Sequence, residues 1–120
     1  MPTLQEILRD RSKQFAITVV KFLRTLPKSE ESRIMGHQLL RCATSVAANY
    51  RAAGRARSRA EFISKMGTVV EEADESVFWL EMLVDTEVVR REKIEPLLRE
   101  GNELLAIFAA SQRTARANKT

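Results

Sequence analysis

Four stretches of this chain repeat apolar residues at intervals of three and four, and this spacing limits the possible folds more than any other feature. It places the apolar side chains along one face of a helix, and in the second stretch that face comprises Met35, Leu39, Cys42, Val46, Tyr50 and Ala53. No stretch alternates apolar and polar residues as a half-buried strand does. The sequence therefore predicts an all-α protein with helices over residues 4–26, 30–53, 59–85 and 91–114.

The predicted helix ends carry stop and start signals. Pro27 would end the first helix, because proline lacks an N–H donor and clashes with the preceding turn. Gly54 stands where a glycine closes the second helix, and Ser58 with Glu61 forms a capping box that would start the third. Because the connections are short, consecutive helices should be antiparallel neighbours in one up-down-up-down four-helix bundle. Residues 1–120 are then a single domain, with residues 115–120 frayed.

Reactive side chains are scarce, which argues against an enzyme. The chain has one cysteine, Cys42, and one histidine, His37, five positions apart and hence pointing in different directions from a helix. The glycines are scattered and form no phosphate-binding loop, and the Glu-x-x-His pairs of a bundle metal site are missing. The acidic run EEADE over residues 71–75 is explained most simply as a solvated or salt-bridged helix face. We therefore predict no catalytic residue, no metal and no cofactor.

Two further features predict a cytoplasmic location. No apolar run approaches the roughly 18 residues of a membrane span. The N-terminal stretch MPTLQEILRDRSK contains acidic residues and lacks the continuous apolar segment of a signal peptide.

The charges are distributed unevenly along the chain, whose formal net charge is +4. Residues 51–65 carry five bases and one acid, residues 71–87 carry seven acids and no base, and the tail after residue 108 carries only bases. On a helical wheel, Arg41, Ala48 and Arg51 share a ridge of the second helix beside its apolar face. The ridge ends at Arg55, so the sequence predicts a cationic patch at one end of the bundle.

Three interpretations of this patch remain open. The first is a charged end that is only solvated. The second is a contact with the acidic surface of another copy, since guanidinium groups pair well with carboxylates. The third is a phosphate-binding surface that gains affinity from counterion release. The last two are compatible if assembly uses only part of the patch. The candidate phosphate-binding residues are Arg51, Arg55, Arg57 and Arg59, with Arg41 and Lys65 at the margin.

Two other residues point to a subunit contact. Ala48 lies outside the apolar face, where a merely solvated position has no need of a small side chain. Trp79 shares a side of the third helix with Glu72 and Glu75; it either packs across neighbouring helices or, as we favour, is buried between subunits. The candidate interface residues are Ala48, Arg51, Glu72, Glu75 and Trp79.

The segments SVAANYRAAGRARSRAEF and EEADESVFWLEMLV resemble the four-helix-bundle proteins encoded within intervening sequences of bacterial 23S rRNA genes. The family pattern is Ser-hydrophobic-x-Ala-Asn, a basic stretch, then Ser-x-x-Glu-Phe. The residues that fit it are Ser45, Val46, Ala48, Asn49, Arg55, Ser58, Glu61 and Phe62. Ala47 replaces a proline that many members have, and Ala52 replaces a common acid, which makes this patch more basic than is usual in the family.

The resemblance implies a bundle that assembles into a ring, commonly a pentamer. A relative, the accessory variability protein of diversity-generating retroelements, is a similar ring that binds a reverse transcriptase and nucleic acid through a basic surface. We therefore predict a non-enzymatic homopentameric scaffold or binding module with affinity for RNA or another nucleic acid. The alternative is a protein–protein interaction module whose arginines contact other subunits or a protein partner.

Overall fold

The computed structural model describes residues 1–118, and its four helices confirm the predicted all-α bundle. They are α1 (Leu4–Leu23), α2 (Glu30–Ala53), α3 (Arg59–Asp85) and α4 (Arg91–Ala117). Each helix packs against its two neighbours in the up-down-up-down order, with α1 touching α4 more sparsely than it touches α2. The bundle is elongated and thin, with extents of 51 × 27 × 19 Å. Within residues 1–118, none of the helices combines the length and the apolar character needed to cross a membrane.

Two helix ends differ from the prediction. Helix α1 ends three residues before position 26, because the residue preceding Pro27 is disfavoured in the helical conformation and the chain closes with turns instead. Helix α4 continues to Ala117 although residues 115–120 were expected to be frayed. There Arg59 Nε donates a hydrogen bond of 3.0 Å to the carbonyl oxygen of Ala115, which supports the last turn. Residues 119 and 120, which were also expected to be frayed, lie outside the described residues.

Serine side chains start the two central helices, and for Ser58 the sequence predicts this role. Ser29 Oγ accepts from the Ser32 N–H at 3.2 Å, and Ser58 Oγ accepts from the Glu61 N–H at 3.0 Å. The second bond of the predicted capping box is displaced by one residue, since Glu61 Oε1 accepts from the Arg57 N–H at 3.4 Å.

We expect Ser58→Ala to lower the free energy of unfolding by about 1 kcal/mol, because it removes the acceptor for the Glu61 N–H at the start of α3. Thermal unfolding followed by circular dichroism measures the loss. Ser64→Ala is the matched control, since Ser64 is an exposed interior position of α3 where alanine favours the helix. Equal melting temperatures for wild type and Ser58→Ala would contradict the capping role.

The left-handed turn expected of a helix-ending glycine is found elsewhere. Gly54 does cap α2, but with a right-handed backbone (φ −64°). The left-handed residue is Glu87 (φ 63°), directly after α3, where its N–H bonds to the Val84 carbonyl and the next N–H, of Val88, bonds to the Leu83 carbonyl. This pair of bonds is a Schellman motif built without glycine, so no glycine marks the turn in the sequence.

The core is aliphatic with one aromatic pair. The predicted apolar face of α2 is buried throughout. Tyr50 of α2 contacts Phe108 of α4, with ring centroids 5.0 Å apart. At the start of α1, two apolar residues that fit the helical period, Leu4 and Ile7, are not buried but 67% and 41% exposed. The first turns of α1 lie at the end of the bundle, where the sparse contact with α4 leaves them partly uncovered.

A charged group joins α1 to α4 across their sparse contact. Arg11 makes a two-pronged ion pair with Glu100, through Nη2–Oε1 at 2.6 Å and Nε–Oε2 at 3.0 Å. Hydrogen bonding to Glu100 raises the pKa of the Arg11 guanidinium. This pair links α1 to α4 with the geometric specificity of a two-pronged contact.

Candidate nucleic-acid interface and assembly surfaces

One end of the bundle is basic, and the ends of all four helices meet there. The antiparallel order brings the starts of α1 and α3 together with the ends of α2 and α4. Arg9 of α1 lines one shallow hollow with Arg51 of α2 and with Arg55, which follows α2 in the loop to α3. The bond from Arg59 to Ala115 places the end of α4 beside the start of α3. We call the exposed cations here the basic end: Arg9, Arg51, Arg55, Arg57, Arg113 and Arg116.

Most of these guanidinium groups are open to a ligand. Within residues 1–118, no carboxylate oxygen lies within 4.0 Å of Arg51 or Arg55. Arg57 approaches Glu61 at 3.8 Å, but its side chain is 90% exposed, so this pair contributes little to stability and yields readily to a ligand. The predicted cationic patch is therefore present, with Arg51, Arg55 and Arg57 as its accessible members.

Arg59 and Lys65 differ from these three arginines. Both are half-buried. Arg59 is turned toward the end of α4, where its Nε donates to Ala115. The contact of Arg59 with α4 is therefore structural. Arg59 adds positive charge to this end of the bundle, but its side chain is not extended into solvent.

Arg41 is used inside the protomer. Its Nη1 lies 3.1 Å from Glu72 Oε2, and its Nη2 lies 3.0 Å from Glu75 Oε1. Arg41 thus joins α2 to α3 about halfway along the bundle, away from the basic end. Glu72 and Glu75, predicted at a subunit interface, already have this partner, and for them the salt-bridged interpretation of the acidic run holds.

Cys42 completes this cluster. Its Sγ, together with carboxylate oxygens of Glu72 and Glu75, forms a group of three metal-ligand atoms within 4.8 Å of one another. Arg41 Nη2 donates to this Sγ at 3.2 Å, so the guanidinium supplies the positive charge that a metal ion would otherwise bring. Burial, assisted by the charge of Glu75, raises the pKa of Cys42 to about 12, so the group is a neutral thiol at pH 7. A neutral buried thiol is a poor metal ligand and a poor nucleophile.

A groove runs between α1 and α2 on the outside of the bundle, with a volume of about 640 Å³. We call it the α1–α2 groove. Its apolar floor consists of Ala16, Ile17, Val20, Ala47 and Ala48. Its polar rim consists of Arg9, Asp10, Lys13, Thr44, Arg51 and Arg55. The small side chain predicted to matter at Ala48 therefore lies in the floor of an open groove.

The exposed face of α3 carries the opposite charge. Residues spaced by three and four along it are all exposed, and we call them the acidic ridge: Glu71, Asp74, Phe78, Glu81 and Asp85. Phe78 is 47% exposed and touches Trp79 edge-on, with ring centroids 4.9 Å apart. Trp79 itself is half-buried against the core, and its indole N–H is buried without an acceptor among residues 1–118. Phe78, which sequence reasoning missed, is thus the more accessible aromatic residue of α3.

These features define a class of protein: a small four-helix bundle whose candidate sites are charged surfaces. A model of the family described as 23S rRNA-intervening sequence protein matches residues 6–110, and the chain belongs to this family. The resemblance predicted from the sequence is confirmed.

A solved structure supports the same assignment. The 1.70 Å crystal structure of a protein with unknown function from the S23 ribosomal protein family of Bacteroides thetaiotaomicron is 33% identical, and the match covers 91% of this chain and 97% of that one. The two folds agree with a TM-score of 0.83. Comparison with curated proteins finds no match.

Proposed function

We propose that this protein is a non-enzymatic, homo-oligomeric scaffold that binds RNA or another nucleic acid through the basic end. The observation that carries the proposal is the convergence of exposed guanidinium groups from α1, α2, α4 and the α2–α3 loop, among which Arg57, Arg113 and Arg116 lie outside the α1–α2 groove. A polyanion that covers several such groups releases its counterions, and this release is the main source of affinity for nucleic acids.

The expected mode of binding is contact with phosphates rather than reading of bases. Among the described residues, the aromatic side chain of the α2 end, Tyr50, is buried at 6% exposure, and the exposed Phe78 lies in the last third of α3, away from the start of that helix. The basic end therefore offers no row of aromatic rings for base stacking. Affinity should accordingly tolerate changes of sequence and fall steeply with salt.

Assembly would strengthen such binding. A ring, with five copies as the family resemblance implies, presents several basic ends to one nucleic acid, and each further contact is made at high effective concentration. A protein partner that shares this platform is compatible with the same geometry.

One supporting observation concerns chemistry. The buried, neutral Cys42 and the exposed His37 do not form a nucleophile pair, which supports a non-catalytic role. The cytoplasmic location stays a prediction from the sequence.

The second candidate is a pure interaction module whose arginines contact other proteins or subunits. The α1–α2 groove favours it, because Arg51 and Arg55 stand on the rim of an exposed apolar floor. An apolar floor would not contact the charged phosphate backbone of a nucleic acid favourably.

We expect Arg57→Glu with Arg113→Glu to weaken binding of a fluorescently labelled RNA hairpin by at least about tenfold. The slope of log affinity against log salt should also become shallower by about 1 to 2, because two phosphate contacts are lost. Fluorescence anisotropy across a salt series measures both quantities. These positions lie at the basic end but outside the α1–α2 groove, so the oligomer should remain intact.

The matched control is Lys28→Glu with Arg33→Glu, which makes the same change of net charge at exposed positions of the opposite end. It should retain nearly wild-type affinity. Binding that is weak, insensitive to salt and equal in all three proteins would refute the nucleic-acid proposal and leave the interaction module.

A further inference from the structure

We propose that the α1–α2 groove is the docking site for the acidic ridge of a second copy of this chain, with Phe78 seated on the apolar floor. This inference rests on the homo-oligomeric part of the proposed function and assigns its contact surfaces. It does not depend on nucleic-acid binding.

The groove has the form of a receptor for an apolar side chain. Small residues, Ala47 and Ala48, leave space between the two helices, and Ile17 remains 37% exposed at the floor. An exposed isoleucine beside two alanines is apolar surface that water covers at a cost and that a partner would bury. The rim cations Lys13, Arg51 and Arg55 have no carboxylate within 4.0 Å among residues 1–118.

The acidic ridge matches the groove in chemistry and in size. Phe78 is the one exposed aromatic side chain within the described residues, and two acids lie on either side of it along α3. None of these four acids has a cation within 4.0 Å in residues 1–118. From Glu71 to Asp85 the ridge spans about 21 Å at 1.5 Å per residue, comparable with the roughly 17 Å from Arg55 to Thr44 along the groove.

The contact has to join different copies. Helix α1 does not pack against α3 in residues 1–118, so a protomer cannot place its own ridge in its own groove. Because the two surfaces differ, repeated contacts of this kind are heterologous, and heterologous contacts that close produce rings. Charge pairs around an aromatic anchor would fix the register between subunits.

This assignment divides the arginines between two roles. Arg51 and Arg55, on the groove rim, serve assembly, whereas Arg57, Arg113 and Arg116 remain at the basic end for phosphates. It also moves the acidic half of the predicted interface from Glu72 and Glu75, which Arg41 occupies, to the neighbouring ridge.

Light scattering coupled to gel filtration at micromolar concentration tests the proposal. Wild type should form an oligomer, and Phe78→Glu should weaken association by on the order of 100-fold and yield the 13.7 kDa monomer. Ile34→Glu is the control, because Ile34 is similarly exposed, at 48%, on a surface outside the groove and the ridge. An oligomer that survives Phe78→Glu, or one that Ile34→Glu disrupts equally, would overturn the proposal.

Charge reversal gives an independent test that does not depend on Phe78. Arg51→Glu with Arg55→Glu should release monomers, and mixing this variant with a chain carrying Glu81→Lys and Asp85→Lys, or Glu71→Lys and Asp74→Lys, should restore association. The pair that restores it also reports the direction of α3 in the groove. If neither mixture associates, the ridge is not the partner of the groove.

The result also separates the two proposals. A wild-type protein that is monomeric at micromolar concentration would overturn the docking inference together with the homo-oligomeric part of the proposed function. RNA binding by that monomer, and its loss in the Arg57→Glu, Arg113→Glu variant, would still support the nucleic-acid part. An oligomer that dissociates as expected but binds no RNA would retain the docking surface alone.

Discussion

Phe108→Ala is expected to lower the free energy of unfolding by about 3–5 kcal/mol, the largest effect of any substitution considered for this bundle. Phe108 is fully buried on α4, and its ring contacts that of Tyr50 on α2, across the bundle from its own helix. Truncation removes apolar contacts from both sides of the core and leaves a cavity that four packed helices fill only partly. Urea denaturation followed by circular dichroism measures the change.

The matched control for this loss is Leu4→Ala. Leu4 is apolar and helical but 67% exposed, so its truncation should cost well under about 1 kcal/mol. A Phe108→Ala loss below about 1 kcal/mol would mean that the two aromatic rings do not join the helices as described.

Features fixed by local chemistry were predictable from the sequence. The buried face of α2 was predicted because it follows the 3.6-residue period without interruption, and the start of α3 because Ser58 can accept only from an N–H a few residues ahead. The up-down-up-down order followed from short connections. Each of these inferences uses residues that are close together in the chain.

The features that were missed depend on the packing of distant segments. Arg41 and Glu72 are 31 positions apart, and only the mutual orientation of α2 and α3 decides that they pair rather than face solvent. Leu4 fits the helical period of α1 but extends past the covering helices. Glu87 is an exception, because its turn is local; it was missed since its left-handed backbone is not marked by a glycine or an asparagine.

The candidate site shows the same division. Arg51, Arg55 and Arg57 could be predicted from their own segment, because they are clustered in the sequence. Arg9 and Arg113 join them only through the antiparallel arrangement of α1 and α4. The basic tail after residue 108 was a sequence signal for Arg113, but placing this tail in the cationic patch required knowledge of the direction of α4.

Gly101 illustrates packing that the sequence could not reveal, and Gly101→Leu should cost about 1–3 kcal/mol or more. Gly101 is buried on α4, where a Cβ atom would lie 3.2 Å from Val77 Cγ2 of α3 and 3.5 Å from the Phe15 ring of α1. Leucine favours helix more than glycine does, so the helix propensity of the substitution is stabilising and any loss is due to crowding. Added methyl groups would push α4 away from both neighbours.

Gly67→Ala is the matched control for Gly101→Leu, because it replaces a glycine at a position where a larger side chain can be accommodated. At Gly67 a Cβ would meet only the end of the flexible Gln112 side chain, at 3.1 Å, so this substitution should be neutral or raise stability by up to about 1 kcal/mol. Thermal and urea unfolding of the two variants side by side measure the difference. If Gly101→Leu were as stable as Gly67→Ala, α4 could move away from α1 and α3 without cost, and the close packing at Gly101 would not set the distance between these helices.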